Sequence, residues 1–313
     1  MKALESYFRG IKRATAEGKM VWLLWLVNVL FASFLYFSFS DILNDVLSYR
    51  AAAQNFLKTF DMNIFFEIIT HHREGIDTII SFAILLFFGY LLASLFLNGG
   101  ILFTLVQSKK PDEKRRLGPL FFEGGGKFFG RFFKLLLYSL ILWMGAIIIA
   151  SIFHMILNPF TEGGTNEVLL FYLILIRVMI ALFLAFLVKM IVDYARIKIV
   201  VEDSSNVFLS LFQAMGFVFR RWGKTLAIYY LFVLTGAAIF IIFWLVQKIV
   251  KTHALLPILL GFLIGQIFIL SRGWLKVAFQ AAQMDYFQSI RPASNIMESA
   301  SFPAEKNEGN PAT

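Results

Sequence analysis

Six stretches of the chain, roughly 20–40, 78–97, 135–157, 168–192, 225–247 and 255–275, stay apolar for the length a helix needs to cross a hydrocarbon layer about 30 Å thick. Hydrocarbon offers a backbone no hydrogen-bond partner, so each of these spans is expected to be helical. With 59% of 313 residues hydrophobic and 16% charged, the chain carries more apolar surface than the interior of a soluble domain of this length can hide. The expected fold class is therefore all-α: a polytopic membrane protein of six transmembrane helices. The first span follows a charged stretch and ends in Phe37-Ser38-Phe39-Ser40 without a small-x-small cleavage site, so it reads as retained. Asn98-Gly99-Gly100 follows the second span, and a helix end or kink is expected there.

Net charge is +9, which in a soluble protein would suggest nucleic acid. Here the basic residues flank the apolar runs, where they set topology. One side gathers the N-terminal cations, Lys109 to Lys134, Lys189 to Lys224 and Arg272 to Lys306, whereas the other receives Arg50, Lys58, Arg73, Lys248 and Lys251. That asymmetry places the rich side, and both termini, in the cytoplasm of a multi-pass protein of the inner (plasma) membrane, with nucleic acid excluded as a partner. The loop 158–167 has no Lys or Arg, as an outer loop should. Residues 291–313, rich in Pro, Ser, Asn and Glu, read as a disordered cytoplasmic tail. The chain has no cysteine, which removes disulfides, thiolate metal sites and cysteine nucleophiles.

A repeat runs beneath the spans. Residues 126–136 lie over 216–226 at a constant offset of 90, pairing Gly126/Gly216, Phe129/Phe219, Arg131/Arg221, Lys134/Lys224 and Leu136/Leu226. Asp193-Tyr194 and Asp285-Tyr286 follow the fourth and sixth spans, and Tyr7, Phe8, Arg9, Ile11 and Arg13 give a looser version before the first. Each unit is a basic amphipathic segment, an outward helix and a returning helix, so the units would be three parallel two-helix repeats, with a pseudo-threefold arrangement as one consequence. The units are 1–107, including the outer loop 41–77, then 108–200 and 201–290. In 205–223, Val207, Phe208, Leu211, Phe212, Met215, Phe219 and Trp222 recur at helical spacing and predict a helix with one greasy face that lies in the interface or packs as an elbow against the bundle.

The order of parts, the Asn98-Gly99-Gly100 break, and the stretch from Asp193-Tyr194-Ala195-Arg196 through Ser210-Leu211, Phe219-Arg220-Arg221 and Lys224-Thr225-Leu226 resemble bacterial six-span membrane proteins of the YciC type and the membrane domain fused to some glycerophosphodiester phosphodiesterases. The likeness covers most of the chain and is mainly architectural. It implies an all-helical inner-membrane domain without an assigned activity. The hydrolase of the fused proteins resides in a separate soluble barrel that this chain lacks.

Candidate sites are sparse. Arg177 lies nine residues after Val168, about 13 Å below the outer surface at 1.5 Å per residue. An ionisable group at that depth is costly and often functional. Asn28, Tyr90 and Gln266 fall near mid-membrane by the same count, and together with Arg177 they either line a cavity for an anionic group or act as interhelical glue. Lys127, Arg131, Lys134, Arg220, Arg221 and Lys224 are placed to meet lipid headgroups. Glu67, His71 and Glu74, with His72 and Asp77 nearby, have a spacing that can bind a divalent metal, but they read better as a solvated face, and His154 as a hydrogen-bonded residue. No metal or cofactor is expected. Gly124-Gly125-Gly126 lacks the strand, Lys and Ser/Thr of a phosphate loop and reads as a flexible joint. With no nucleophile beside a base, the expectation is a non-enzymatic protein acting in the lipid phase on lipids or other amphiphiles. The alternative is a structural or assembly subunit bound to other membrane proteins or to its own copies.

Overall fold

The computed structural model describes residues 2–48, 73–108, 117–159, 167–250 and 255–290. Among them are eight helices and no strand: α1 (Lys2–Ala16), α2 (Gly18–Ser48), α3 (Arg73–Gln107), α4 (Leu117–Leu157), α5 (Glu167–Val201), α6 (Val207–Arg220), α7 (Trp222–Ile249) and α8 (Leu255–Ser289). Six of these, α2, α3, α4, α5, α7 and α8, are long and apolar enough to cross a membrane, and the chain is a multi-pass membrane protein. The metal-ligand candidates Glu67, His71 and His72, the loop cations from Lys109 to Arg116 and the tail from 291 lie outside the described residues.

The spans run further than their apolar cores require. Helix α4 has 41 residues, about 60 Å at 1.5 Å per residue, which is twice the hydrocarbon thickness. The excess lies at the basic end of the bundle, the end that carries α1 and α6. Two sequence expectations fail for this reason. Asn98-Gly99-Gly100 does not end a helix but sits inside α3, and Gly124-Gly125-Gly126 is not a joint but part of α4. Glycine disfavours a helix interior by about 1 kcal/mol, so its presence needs a cause, and close helix packing supplies it. A Cβ on Gly100 would stand 2.7 Å from the Phe121 carbonyl oxygen, and one on Gly124 would stand 2.3 Å from Phe103 Cβ. These residues let α3 and α4 approach as only small side chains permit.

The same device recurs. A Cβ on Gly10 of α1 would lie 2.6 Å from the Ala278 carbonyl oxygen of α8. Ser6, Gly10 and Ala14 are the buried face of α1, and Ser210, Ala214 and Val218 hold the equivalent places on α6. Gly124 and Ala214 are 90 residues apart, the offset of the sequence repeat. The leading segment of each unit packs on the returning helix of the unit before it: α4 on α3, α6 on α5, and α1, closing the ring, on α8. The three returning helices α3, α5 and α8 pack on one another inside that ring.

Helix α6 starts where expected, with Asn206 as N-cap accepting from the Leu209 amide at 3.1 Å. Its faces differ from the expectation, because the buried stripe is Val207, Ser210, Leu211, Ala214 and Val218, whereas Phe208, Phe212 and Phe219 are exposed. Small and branched residues fit the tight seam with α5, and the bulky rings are turned outward where they do not obstruct it.

Candidate functional site

Of the four residues expected at mid-membrane, three enter two interhelical ties. Tyr90 of α3 donates to Asn28 Oδ1 of α2 at 3.1 Å, and the Trp25 indole of α2 donates to Gln266 Oε1 of α8 at 2.9 Å. Arg177 is half-buried on α5. Tyr90 itself is 41% exposed, so its bond to Asn28 lies on the flank of the α2/α3 hairpin.

The basic residues have more than one fate. Lys127 Nζ and Arg131 Nη1 grip the two oxygens of Asp203 at 2.7 Å and 2.6 Å, and both cations lie over the Phe128 ring. Asp203 follows the end of α5 with φ of 49°, a left-handed position that glycine usually fills. Aspartate tolerates it better than most residues, and here its carboxylate pins the α5 terminus to α4. Burial tends to raise that carboxyl, but hydrogen bonds from Lys127 and Arg131 outweigh it and hold Asp203 below the usual carboxylate value. Arg221 lies 5.1 Å from the Phe217 ring, and Lys134, Arg220 and Lys224 are exposed. His154 is also exposed, and among the described residues no three His, Cys, Asp or Glu side chains gather as a metal site.

The densest polar cluster is one the sequence did not single out. It lies where α3, α5, α7 and α8 meet. Asp193 Oδ2 accepts from the Tyr229 hydroxyl at 2.7 Å and its Oδ1 faces Arg196 Nη1 at 3.3 Å. Gln280 Nε2 donates to Asn98 Oδ1 at 2.9 Å, joining α8 to α3. Lys276 stands within electrostatic reach of Arg196, Asp193 and Lys189, and Gln283 beside Tyr229. Helical spacing explains the convergence: Lys189, Asp193 and Arg196 share one face of α5, and Lys276, Gln280 and Gln283 one face of α8.

Four buried polar atoms in and beside this junction have no hydrogen-bond partner: Arg196 Nε, Gln280 Oε1 and the hydroxyl oxygens of Tyr194 and Tyr286. Each such atom costs about 1–3 kcal/mol if left dry. On the side of α8 facing α7, a cavity of about 150 Å³ is lined by Gly236, Ile239, Phe268, Ser271, Arg272 and Leu275. The signal that could have found the junction was the i, i+4, i+7 polar stripe on α8, which lies past the 20-residue window used to define the last span.

At the outer edge of the ring, Asp285 accepts from Ser6 Oγ at 3.1 Å and lies 3.6 Å from Arg9, tying α1 to α8. No family model, curated protein or solved structure matches the chain.

Proposed function

We propose that the chain is a non-enzymatic protein of the bacterial inner membrane, with both termini cytoplasmic, that acts in the lipid phase by moving an amphiphile or organising membrane components. The observation that carries this reading is a cationic polar junction, half-buried at Asp193, Arg196 and Lys276, at the basic end of six spans whose far halves are scarcely packed. Lys189, Lys276, Asn98 and Tyr229 each lie about 30 Å along their helices from the far end, close to the thickness of the hydrocarbon. Ionisable groups gathered at that boundary are placed to meet the charged headgroups of lipids. The distribution of Lys and Arg supports the orientation, and the YciC-type architecture supports a membrane domain without an enzyme site. Lys134, Arg220 and Lys224, exposed at the basic end, are suited to the anionic headgroups of the cytoplasmic leaflet, and Phe208, Phe212 and Phe219 would lie at the interface beside them.

A second reading, a structural or assembly subunit, is favoured by the breadth of apolar surface on α4, where Ile141, Met144, Ile148 and Met155 are all exposed and a neighbouring protein could cover them. Purification in mild detergent followed by mass spectrometry separates the two. Bound lipid at a fixed ratio supports the first, and a stoichiometric protein partner with exchangeable lipid supports the second.

A further inference from the structure

The junction has the composition of a receptor for an anion. Around Asp193 stand three cations, Lys189, Arg196 and Lys276, so the cluster carries an excess of positive charge. Of the four partnerless buried atoms, Arg196 Nε is an obligate donor, and the hydroxyls of Tyr194 and Tyr286 are able to donate. Tyr194 and Tyr286 are fully buried, so bulk water does not satisfy their hydroxyls. Lys189 is exposed and Lys276 and Arg196 are half-buried, so the excess positive charge lies at the rim of the bundle, where a negative group can reach it and complete the idle buried donors. The depth specifies that group further. Lys276 lies about 30 Å from the far end of its span, at the boundary of the hydrocarbon, and Tyr194 and Arg196 lie about 10 Å further along α5, across the headgroup layer that holds lipid phosphates.

The surroundings supply a way in. On α5, Phe171, Tyr172, Ile174, Leu175, Val178 and Met179 point to successive faces and all are exposed, so the far half of this helix is not sealed inside a packed core and acyl chains can lie against it. The cavity between α7 and α8 reaches Arg272 and Leu275, within about one turn of Lys276.

We infer that the junction of α3, α5, α7 and α8 is a binding site for a phosphate group, in which Lys276 and Arg196 neutralise the charge while the buried tyrosines donate hydrogen bonds. This assignment rests on the lipid-phase reading for its source of phosphate, and the test separates the two.

The full chain in detergent is unfolded thermally at constant ionic strength in four solutions: sodium chloride, inorganic phosphate, short-chain phosphatidate and short-chain diacylglycerol. The expected result is a rise of about 5 °C with phosphatidate and none with diacylglycerol. Lys276→Gln should weaken that binding at least about tenfold, whereas Lys276→Arg should retain it. The ligand-free Lys276→Gln protein should melt no lower than the natural one, because it loses a cation that repels Arg196 and Lys189; a merely structural lysine would lower the melting temperature instead. A full shift with inorganic phosphate alone supports the phosphate site while removing the lipid-phase reading. The inference is overturned if neither phosphate compound exceeds its control, or if Lys276→Gln binds as tightly as the natural chain. In that event, lipid that still co-purifies at a fixed ratio leaves the lipid-phase reading standing without this site.

Discussion

The two ends of the bundle are built from the same helices on different principles. At the basic end, Gly10, Gly99, Gly100, Gly124 and Ala214 bring backbones together, and Leu105, Leu135, Met190 and Ala281 are fully buried. At the far end of the same α4, Ile141, Met144, Ile147, Ile148 and Met155 are more than half exposed. The difference follows from the solvent each half meets. In hydrocarbon there is no hydrophobic force between helices, and close association needs small residues or polar ties. Where the helices emerge toward water, burial of apolar surface regains its force, about 25 cal/mol per Å². The fold is accordingly locked at one end, and the far halves are left to be covered by lipid or by a partner.

Substitutions along one helix can break that contrast. Gly124→Leu should have the largest effect, more than about 3 kcal/mol, since its first added carbon already collides with Phe103. Loss of the folded fraction in detergent reads this out. Next, Leu135→Ala should cost about 3 kcal/mol, while Ile148→Ala, thirteen residues along the same α4 and 57% exposed, should stay within about 0.5 kcal/mol. Equal losses at the two positions in a denaturation series would show the far half to be packed as well.

Asp203→Ala should cost about 1 kcal/mol, a value kept small because the carboxylate is 38% exposed and solvent screens the pair. Its pH dependence has a definite sign. The folded carboxyl titrates below its unfolded value of about 3.9, so the clamp contributes fully above that value and its contribution fades as pH falls through the folded one. The stability gap between the natural chain and Asp203→Asn, measured by thermal unfolding, should therefore be constant near neutrality and close in acid. Smaller again is Tyr90→Phe, about 0.6 kcal/mol, because it removes one interhelical hydrogen bond on the exposed flank of the α2/α3 hairpin.

The membrane-spanning class and the six spans were legible because apolar length is a property of each segment taken alone. The helix boundaries were not. A 20-residue window stops where the hydrocarbon stops, but α3, α5 and α8 run on for several turns through their packed ends. Asn98-Gly99-Gly100 looked like a stop because glycine's local cost is visible in sequence, whereas the offsetting contact with Phe121 and Gly124 comes from a different helix. Asp193-Tyr194 and Asp285-Tyr286 were noticed as repeat markers, yet Tyr229, Lys276, Gln280 and Gln283 were missed, since nothing local says that α5, α7 and α8 bring them together. Lys127 and Arg131 were read as free for lipid, and their shared partner Asp203 lies more than seventy residues away.

The absence of native cysteine makes one experiment especially direct. Single spin labels at Glu123, Gly130, Met144 and Ile148, all exposed on α4, report access to oxygen and to a water-soluble nickel chelate in lipid nanodiscs. Chelate access at Glu123 and Gly130, giving way to oxygen access at Met144 and Ile148, is the expected result, with the crossover near Lys134. Oxygen access at Gly130 equal to that at Ile148, or chelate access at Ile148, would contradict a bundle that is knotted outside the hydrocarbon and open within it.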